Sequence, residues 1–434
     1  MTIKSDLTAF IPRLIKIEKK QQDFFQWRLN YLTSNRSLRI FSFIYLEIYM
    51  LLLLLLAVPG VIIIRLLRPI ILVRFMLGSG KRIGHLAIDT ELYLCERDAG
   101  MHKPRTYDIL YFSLPFCNQQ LKKMWKKKIH MSMLPRLTHQ LFRLNQLLPG
   151  YEKHTVPEFS KDSRDLYGLL ERIPPHLSFS AAEEKRGLEG MRKMGIPDNS
   201  PFICFHVRDS AYLKATMHSE GYSYAFRDST ISNYIPALEG LTRRNYFVIR
   251  MGAAVKDKLG TTNPKIIDYA YEYRTDFLDI YLCAKCNFFL ASNSGLECVP
   301  VIFRRPIVCV NFAPFENIPT SWPVELFIFK KYWLRKEKRF MASREILDSG
   351  VRRFDRTEQF DNCDIELIEN TPEEIESVLS EMDDRLKGMW QEGDEDKELQ
   401  RRFWSLFRHS EQQGTNNAKV GADFLRQNKD LLRV

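Results

Sequence analysis

Six consecutive leucines, Leu51–Leu56, lie inside an apolar run from Phe41 to Ile64 whose one charge is Glu47. A helix made of these residues has no polar face to offer water. The run demands lipid or protein around it, and a bilayer takes about 20 apolar residues. It begins too far into the chain for a secretory h-region, and no small-residue cleavage site follows. Lys16, Lys19, Lys20, Arg28, Arg36 and Arg39 precede it; Arg65, Arg68, Arg74, Lys81 and Arg82 follow it. Positive charge favours the cytoplasmic side, so both flanks belong on one face. Pro59-Gly60 interrupts the run, and Pro69 precedes a shorter one at Ile70–Val73. The expectation is a re-entrant or interfacial hairpin on the cytoplasmic side of the inner membrane. A buried helix of a soluble core is the alternative. Lys122, Lys123, Lys126, Lys127 and Lys128 surround Trp125, and apolar residues recur at Leu134, Leu137, Leu141 and Leu144. That stretch suits anionic headgroups or a solvated helix face equally well.

Beyond residue 200 a second pattern takes over. Phe202–Val207, Tyr246–Arg250, Phe288–Ala291 and Ile307–Asn311 are short apolar runs. Helical patterns separate them at Ser232–Arg243, Asp276–Cys286 and Gly295–Phe303. Strands alternating with helices imply a parallel, doubly wound sheet. Ile365–Ile368 adds a strand, and Thr371, Pro372 and Glu374 spell the start of another helix. With 434 residues, two cores are expected. The divisions read as a basic helical region over 1–40, a membrane-associated segment over 41–75 and a Rossmann-like acceptor domain over 76–198. A Rossmann-like donor domain over 199–390 and a polar tail with a short helix over 391–434 complete them.

The net charge of +11 suits phosphates, an anionic membrane or nucleic acid. Eight scattered cysteines, with no disulfide framework, fit a reducing compartment. Cys283 and Cys286 form a lone C-x-x-C with no second pair, and read as buried core rather than a zinc site.

Four constellations carry chemistry. His206-Val207-Arg208-Asp209 follows a strand end, where open α/β sheets collect ligands; an arginine there can fork onto phosphate oxygens. Arg250-Met251-Gly252 ends another strand. Ser292-Asn293-Ser294-Gly295 joins a strand to a helix, either as a phosphate cradle or as plain capping by Ser294; Glu297 stands one turn on, suited to ribose hydroxyls. The fourth is the glycine-rich 78–85 loop, ending in His85, with Asp89 and Glu91 beyond it. It fits neither the Walker loop nor the dinucleotide fingerprint. It suits the acceptor side of a cleft, with Asp89 or Glu91 as general base on a hydroxyl. No Asp-x-Asp follows a strand, and the Asp-Glu-Asp at 394–396 lies in a charged stretch, so no metal is expected.

Arg82-Ile83-Gly84-His85-Leu86, the Tyr224–Asp228 to Tyr234 stretch, Arg250-Met251-Gly252, Ser292–Glu297 and Gly421–Arg426 together resemble a bacterial family of surface-polysaccharide glycosyltransferases. The resemblance runs from about residue 80 onward. His206 and Arg208 also resemble the His-x-Arg of O-fucosyltransferase-like enzymes, whose arginine grips the donor diphosphate. Asp209 stands where those enzymes carry a second arginine or a glycine. These likenesses imply a GT-B-like α/β fold, with two Rossmann-like domains facing a cleft, and inversion at the anomeric carbon. The likeness carries the diphosphate role to Arg208; the candidate donor contacts are His206, Arg208, Arg227, Asp228, Arg250, Gly252, Ser292, Asn293, Ser294, Gly295 and Glu297, and the candidate acceptor chemistry lies at His85, Asp89 and Glu91.

The reading is a metal-independent inverting transferase. It has a nucleotide-sugar co-substrate, no cofactor, a lipid-linked or polysaccharide acceptor, and a membrane surface as partner. A non-catalytic membrane scaffold is the rival. Nucleic-acid binding through Lys122–Lys128 and Lys330–Arg339 lacks any accompanying module motif.

Overall fold

The computed structural model describes residues 36–157, 163–212, 214, 224–315, 318, 324–407 and 418–433. Along it run α1 (Arg36–Leu66), β1 (Leu72–Gly78), α2 (Ile83–Asp98), β2 (Thr106–Phe112), α3 (Gln119–Trp125), α4 (Pro135–Gln146) and α5 (Ala181–Lys193). Then come β3 (Phe202–Phe205), α6 (Ile235–Arg243), β4 (Phe247–Arg250), β5 (Ile266–Ile267), α7 (Asp276–Lys285), β6 (Phe289–Ala291), α8 (Cys298–Ile302) and β7 (Ile307–Phe312). β8 (Leu326–Phe329), β9 (Lys331–Leu334), β10 (Arg339–Phe340), β11 (Ile365–Ile368), α9 (Pro372–Leu386), α10 (Asp394–Ser405), β12 (Lys419–Val420) and α11 (Ala422–Gln427) follow.

The chain divides into two compact units. Met1–Arg74 with Ser132–Thr155 form one, and Phe75–Met131 with Val156–Val434 form the other. The division expected near residue 198 is not where the chain parts. Residues 76–198 contribute two strands, β1 and β2, in their own small sheet, among helices that pack on the later ones. Within the larger unit α2 lies along α8, which merges the expected domains into one body.

In the smaller unit α1 passes straight through Pro59-Gly60 as one 31-residue helix, so the expected hairpin is not formed. The reason is its partner. α4 packs along α1, and a Cβ on Gly60 would come within 2.6 Å of Leu141 Cδ2. The glycine admits a neighbour rather than breaking the helix. Leu53, Ala57 and Val61, four residues apart, form the buried stripe. Arg65 ties the ends by donating to Asn145 Oδ1 at 2.9 Å and to the carbonyls of Leu148 and Pro149. The basic stretch after residue 120 is likewise not one amphipathic helix: α3 buries Trp125 in the larger unit and α4 belongs to the smaller. Among the described residues no helix is long and apolar enough to cross a membrane.

The larger unit is built on a seven-stranded parallel sheet ordered β12-β8-β7-β6-β3-β4-β5. β3, β6, β7 and β8 are wholly buried, so they read as unbroken apolar runs rather than alternating ones. α9 starts as its sequence dictates: Thr371 accepts from the Glu374 N–H and Glu374 accepts from the Thr371 N–H. β11 pairs antiparallel with β9 in a separate three-stranded sheet. The described residues of 391–434 do not form a polar tail. α10 and α11 pack together, and β12 extends the sheet at β8. The Gln400 side chain donates to the Val420 carbonyl and accepts its N–H, which closes the outer edge of β12.

Candidate active site

The parallel topology brings the carboxyl ends of β3, β4, β6 and β7 to one rim. Directly after β3, Arg208 N–H donates to Ser292 Oγ at 2.6 Å, and Ser292 donates to the His206 carbonyl at 3.1 Å. The sequence elements read separately from residues 206–209 and 292–295 are therefore one structure. Asn293 adopts φ 54°, and its side-chain amide donates to the Ala313 carbonyl. The Ser294 hydroxyl does not cap the turn; it is buried with no hydrogen-bond partner among the described residues. Glu297, 5% exposed, accepts from the Ser294 N–H at 2.9 Å instead of pointing out to ribose hydroxyls.

Two guanidiniums converge on this turn. Arg208 Nε and Nη2 and Arg227 Nε are buried with no hydrogen-bond partner among the described residues. Arg208 Nε lies 3.6 Å from Asp228 Oδ1, beyond a good hydrogen bond. Burial pulls Arg227 down to about 10, and Arg208 adds to that pull. Burial also pushes Glu297 up to about 7 and Asp228 up to about 6, against the nearby arginines. His206 is driven down to about 4 by burial, so it is neutral at physiological pH. Arg82 is a further electrostatic neighbour of Arg208. The result is a largely buried site with guanidinium donors left without a protein acceptor among the described residues, an environment that favours an anion.

Beside it opens a cavity of about 510 Å³ lined by Asp228, Thr230, Arg250, Lys330, Phe360 and Glu369 among others. Lys330 is buried and donates to the Phe226 and Asp228 carbonyls at 3.2 and 2.6 Å, which fixes the loop that carries Arg227. Arg250 lines the wall, but Nη1 is committed to the Asp257 carbonyl at 2.5 Å and to Asp268 at 3.3 Å. It braces a loop rather than offering a free fork. Gly252, at φ 153°, lies against Val255 and His206.

On the other side, α2 meets the turn through two glycines. A Cβ on Gly84 would sit 3.0 Å from Gly295 Cα and O. This close approach brings α2 and its carboxylates beside Cys298 and the turn. The two carboxylates differ. Glu91 is fully buried, with Oε1 2.7 Å from Arg304 Nη2 and 3.1 Å from His176 Nδ1. It holds α2 to the chain around Ile173 and Arg304, and a base expected there has no route to a substrate hydroxyl. Asp89 is partly exposed. Ser163 Oγ donates to its Oδ1 at 2.6 Å, and His85 Nδ1 lies 3.2 Å from its Oδ2. Ser163 was not marked by any sequence pattern; neither were Arg304 or the role of Lys330.

Glu91, Cys95 and His176 place one ligand atom each within 4.8 Å of the others. The Arg304 guanidinium already stands in that cluster, 3.6 Å from Cys95 Sγ. Burial pushes the thiol up to about 12, so it stays protonated. Burial disfavours charge on His176, but Glu91 and Asp98 outweigh it and raise its pKa. The group is a closed ion-pair knot rather than a cation site.

No protein-family model and no curated protein matches the chain. Among solved structures it is similar to the glycosyl transferase family 9 protein from Veillonella parvula DSM 2008, at 11% identity over 55% of this chain and 80% of that one, with a TM-score of 0.34. It is similar to ADP-heptose lps heptosyltransferase II of E. coli, at 14% identity over 63% and 96%, with a TM-score of 0.37. A third is the iron-containing dodecameric glycosyltransferase TibC from enterotoxigenic E. coli H10407, at 11% identity over 59% and 62%, with a TM-score of 0.32.

Proposed function

We propose that the protein is an inverting, metal-independent glycosyltransferase that uses a nucleoside diphosphate sugar. The observation that carries the reading is the pair of buried, under-partnered guanidiniums at the end of a parallel sheet. Arg208 and Arg227 hold the donor diphosphate there, and the adjoining cavity takes the nucleoside. The acceptor is a hydroxyl of a lipid-linked or polysaccharide glycan. Its oxygen attacks the anomeric carbon while Asp89 takes the proton, and His85 and Ser163 orient that carboxylate. The C–O bond to the diphosphate breaks as the new one forms. The charge left on the diphosphate is stabilised by the two arginines. The nucleic-acid reading finds no support in the Lys330–Arg339 cluster. Lys330 is buried, Arg335 pairs with Glu366, Lys336 with Asp364 and Arg339 with Glu345.

The test is thermal unfolding against ADP, UDP, GDP, CDP, TDP and CMP, and their sugars. A nucleotide at 100 times its dissociation constant stabilises by about 2.7 kcal/mol. One base stabilising the wild type, with the effect lost in Arg208→Ala, is the expected result. No response to any nucleotide would sink the reading and leave a non-catalytic scaffold.

A further inference from the structure

The smaller unit has a feature that the active site does not use. Leu53, Ala57 and Val61 of α1 are buried, and most of the described side chains around them are exposed. Ile48, Leu52, Leu55, Ile62 and Leu66 are each more than half exposed. Their spacing of three, four and seven residues places them on one face, opposite the buried stripe. With 1.5 Å per residue this face is about 27 Å long. No charge interrupts it, because Arg65 is turned aside onto α4. The partner helix α4 buries Thr138, Gln140 and Asn145 and exposes Arg136. α1 is therefore sided: α4 packs along it on the side of the buried stripe, and the outward face is exposed and apolar. A helix crossing a bilayer needs apolar surface all round; a sided helix suits the plane of an interface.

Charge points the same way. Met1–Arg74 and Ser132–Thr155 hold 14 Lys and Arg against 5 Asp and Glu, a net +9 of the chain's +11. The larger unit keeps the remaining +2. A unit that joins a long bare apolar face to nearly all of the excess positive charge is complementary to an anionic lipid surface.

We propose that α1 and α4 form an in-plane anchor. The outward face of α1 enters the headgroup–acyl boundary of a bilayer that carries anionic lipid, and the unit's net positive charge favours that surface. The inference does not rest on the transferase reading.

The test is flotation of the full chain with preformed phosphatidylcholine vesicles, with and without 30 mol% phosphatidylglycerol as the probe. The wild type is expected to float with the anionic vesicles and to bind them less at high salt. Leu55→Asp with Ile62→Asp lies on exposed positions, so the melting temperature should hold while vesicle partition falls by on the order of tenfold or more. Met389→Asp, an exposed apolar position of the larger unit, should float like the wild type. The proposal is overturned if Leu55→Asp/Ile62→Asp floats as the wild type does. It is equally overturned if the wild type stays off both vesicles and sediments as a dimer that the same substitutions dissociate, which would assign the face to a second copy. Nucleotide-dependent stabilisation, measured without vesicles, reports on the active site separately.

Discussion

Burying Arg208 and Arg227 with unfilled N–H groups works against folding, and burial also sets the protonation of their neighbours. Glu297 rises from 4.5 to about 7. Between those values the folded state holds more protons than the unfolded one, so this carboxyl's contribution falls as pH rises from about 4.5 to 7. Glu297→Gln keeps an acceptor for the Ser294 N–H and removes the titration. Its melting temperature is expected to gain on the wild type between pH 5 and pH 8, and parallel curves would contradict the assignment. Asp89→Asn should retain nucleotide-induced stabilisation and lose about 10²–10⁴ in transfer rate. A turnover near wild type would remove Asp89 from the chemistry. The place of Arg208 at the rim of the sheet was legible from sequence because it closely follows an apolar strand of a βα series. Glu91 was not separable from Asp89, since two positions along a helix turn a side chain from solvent to core. Its true partner, Arg304, is more than 200 residues away, and no local pattern reports such a pair.

At the level of elements, the meeting of α2 with the 292–297 turn matters most. Gly84 and Gly295 touch backbone to backbone, so a methyl group on Gly84 would press on the main chain of Gly295, with Cys298 Sγ 3.4 Å away. Gly84→Ala is expected to cost about 1–3 kcal/mol and to weaken nucleotide-induced stabilisation together with stability, as read by denaturant melts with and without nucleotide. Unchanged melts would show that the contact is slack. The central strands and α6, α7 and α9 were readable because short β-branched runs and capping residues act locally. The break placed at Pro59-Gly60 was not formed, because Leu141 on another helix decides what Gly60 is for. The 391–434 stretch misled for a related reason. α10 buries only a narrow stripe, Leu399 and Phe403 among it, so its composition looks like that of a solvated helix.

Across the whole molecule, the excess positive charge is unevenly divided between the two units. The unit with the candidate site carries +2 of the chain's +11, and the guanidiniums of Arg208 and Arg227 supply the local attraction for an anion there. The sheet that supports them is finished from far away in the sequence. β12 joins β8 through Lys419 opposite Leu326, across 93 intervening steps of chain, whereas β3 and β4 are separated by fewer than half as many. Long closures are slow to find, so the inner strands have the means to associate before the outer one arrives. Until it does, the rim of β8 is a bare row of amides and carbonyls able to recruit a strand from another molecule. The interval between collapse of the inner strands and arrival of Val420 under Gln400 is thus the period in which this protein is most exposed to self-association during refolding, and yield should depend on concentration there even though the finished sheet offers no such edge at β8.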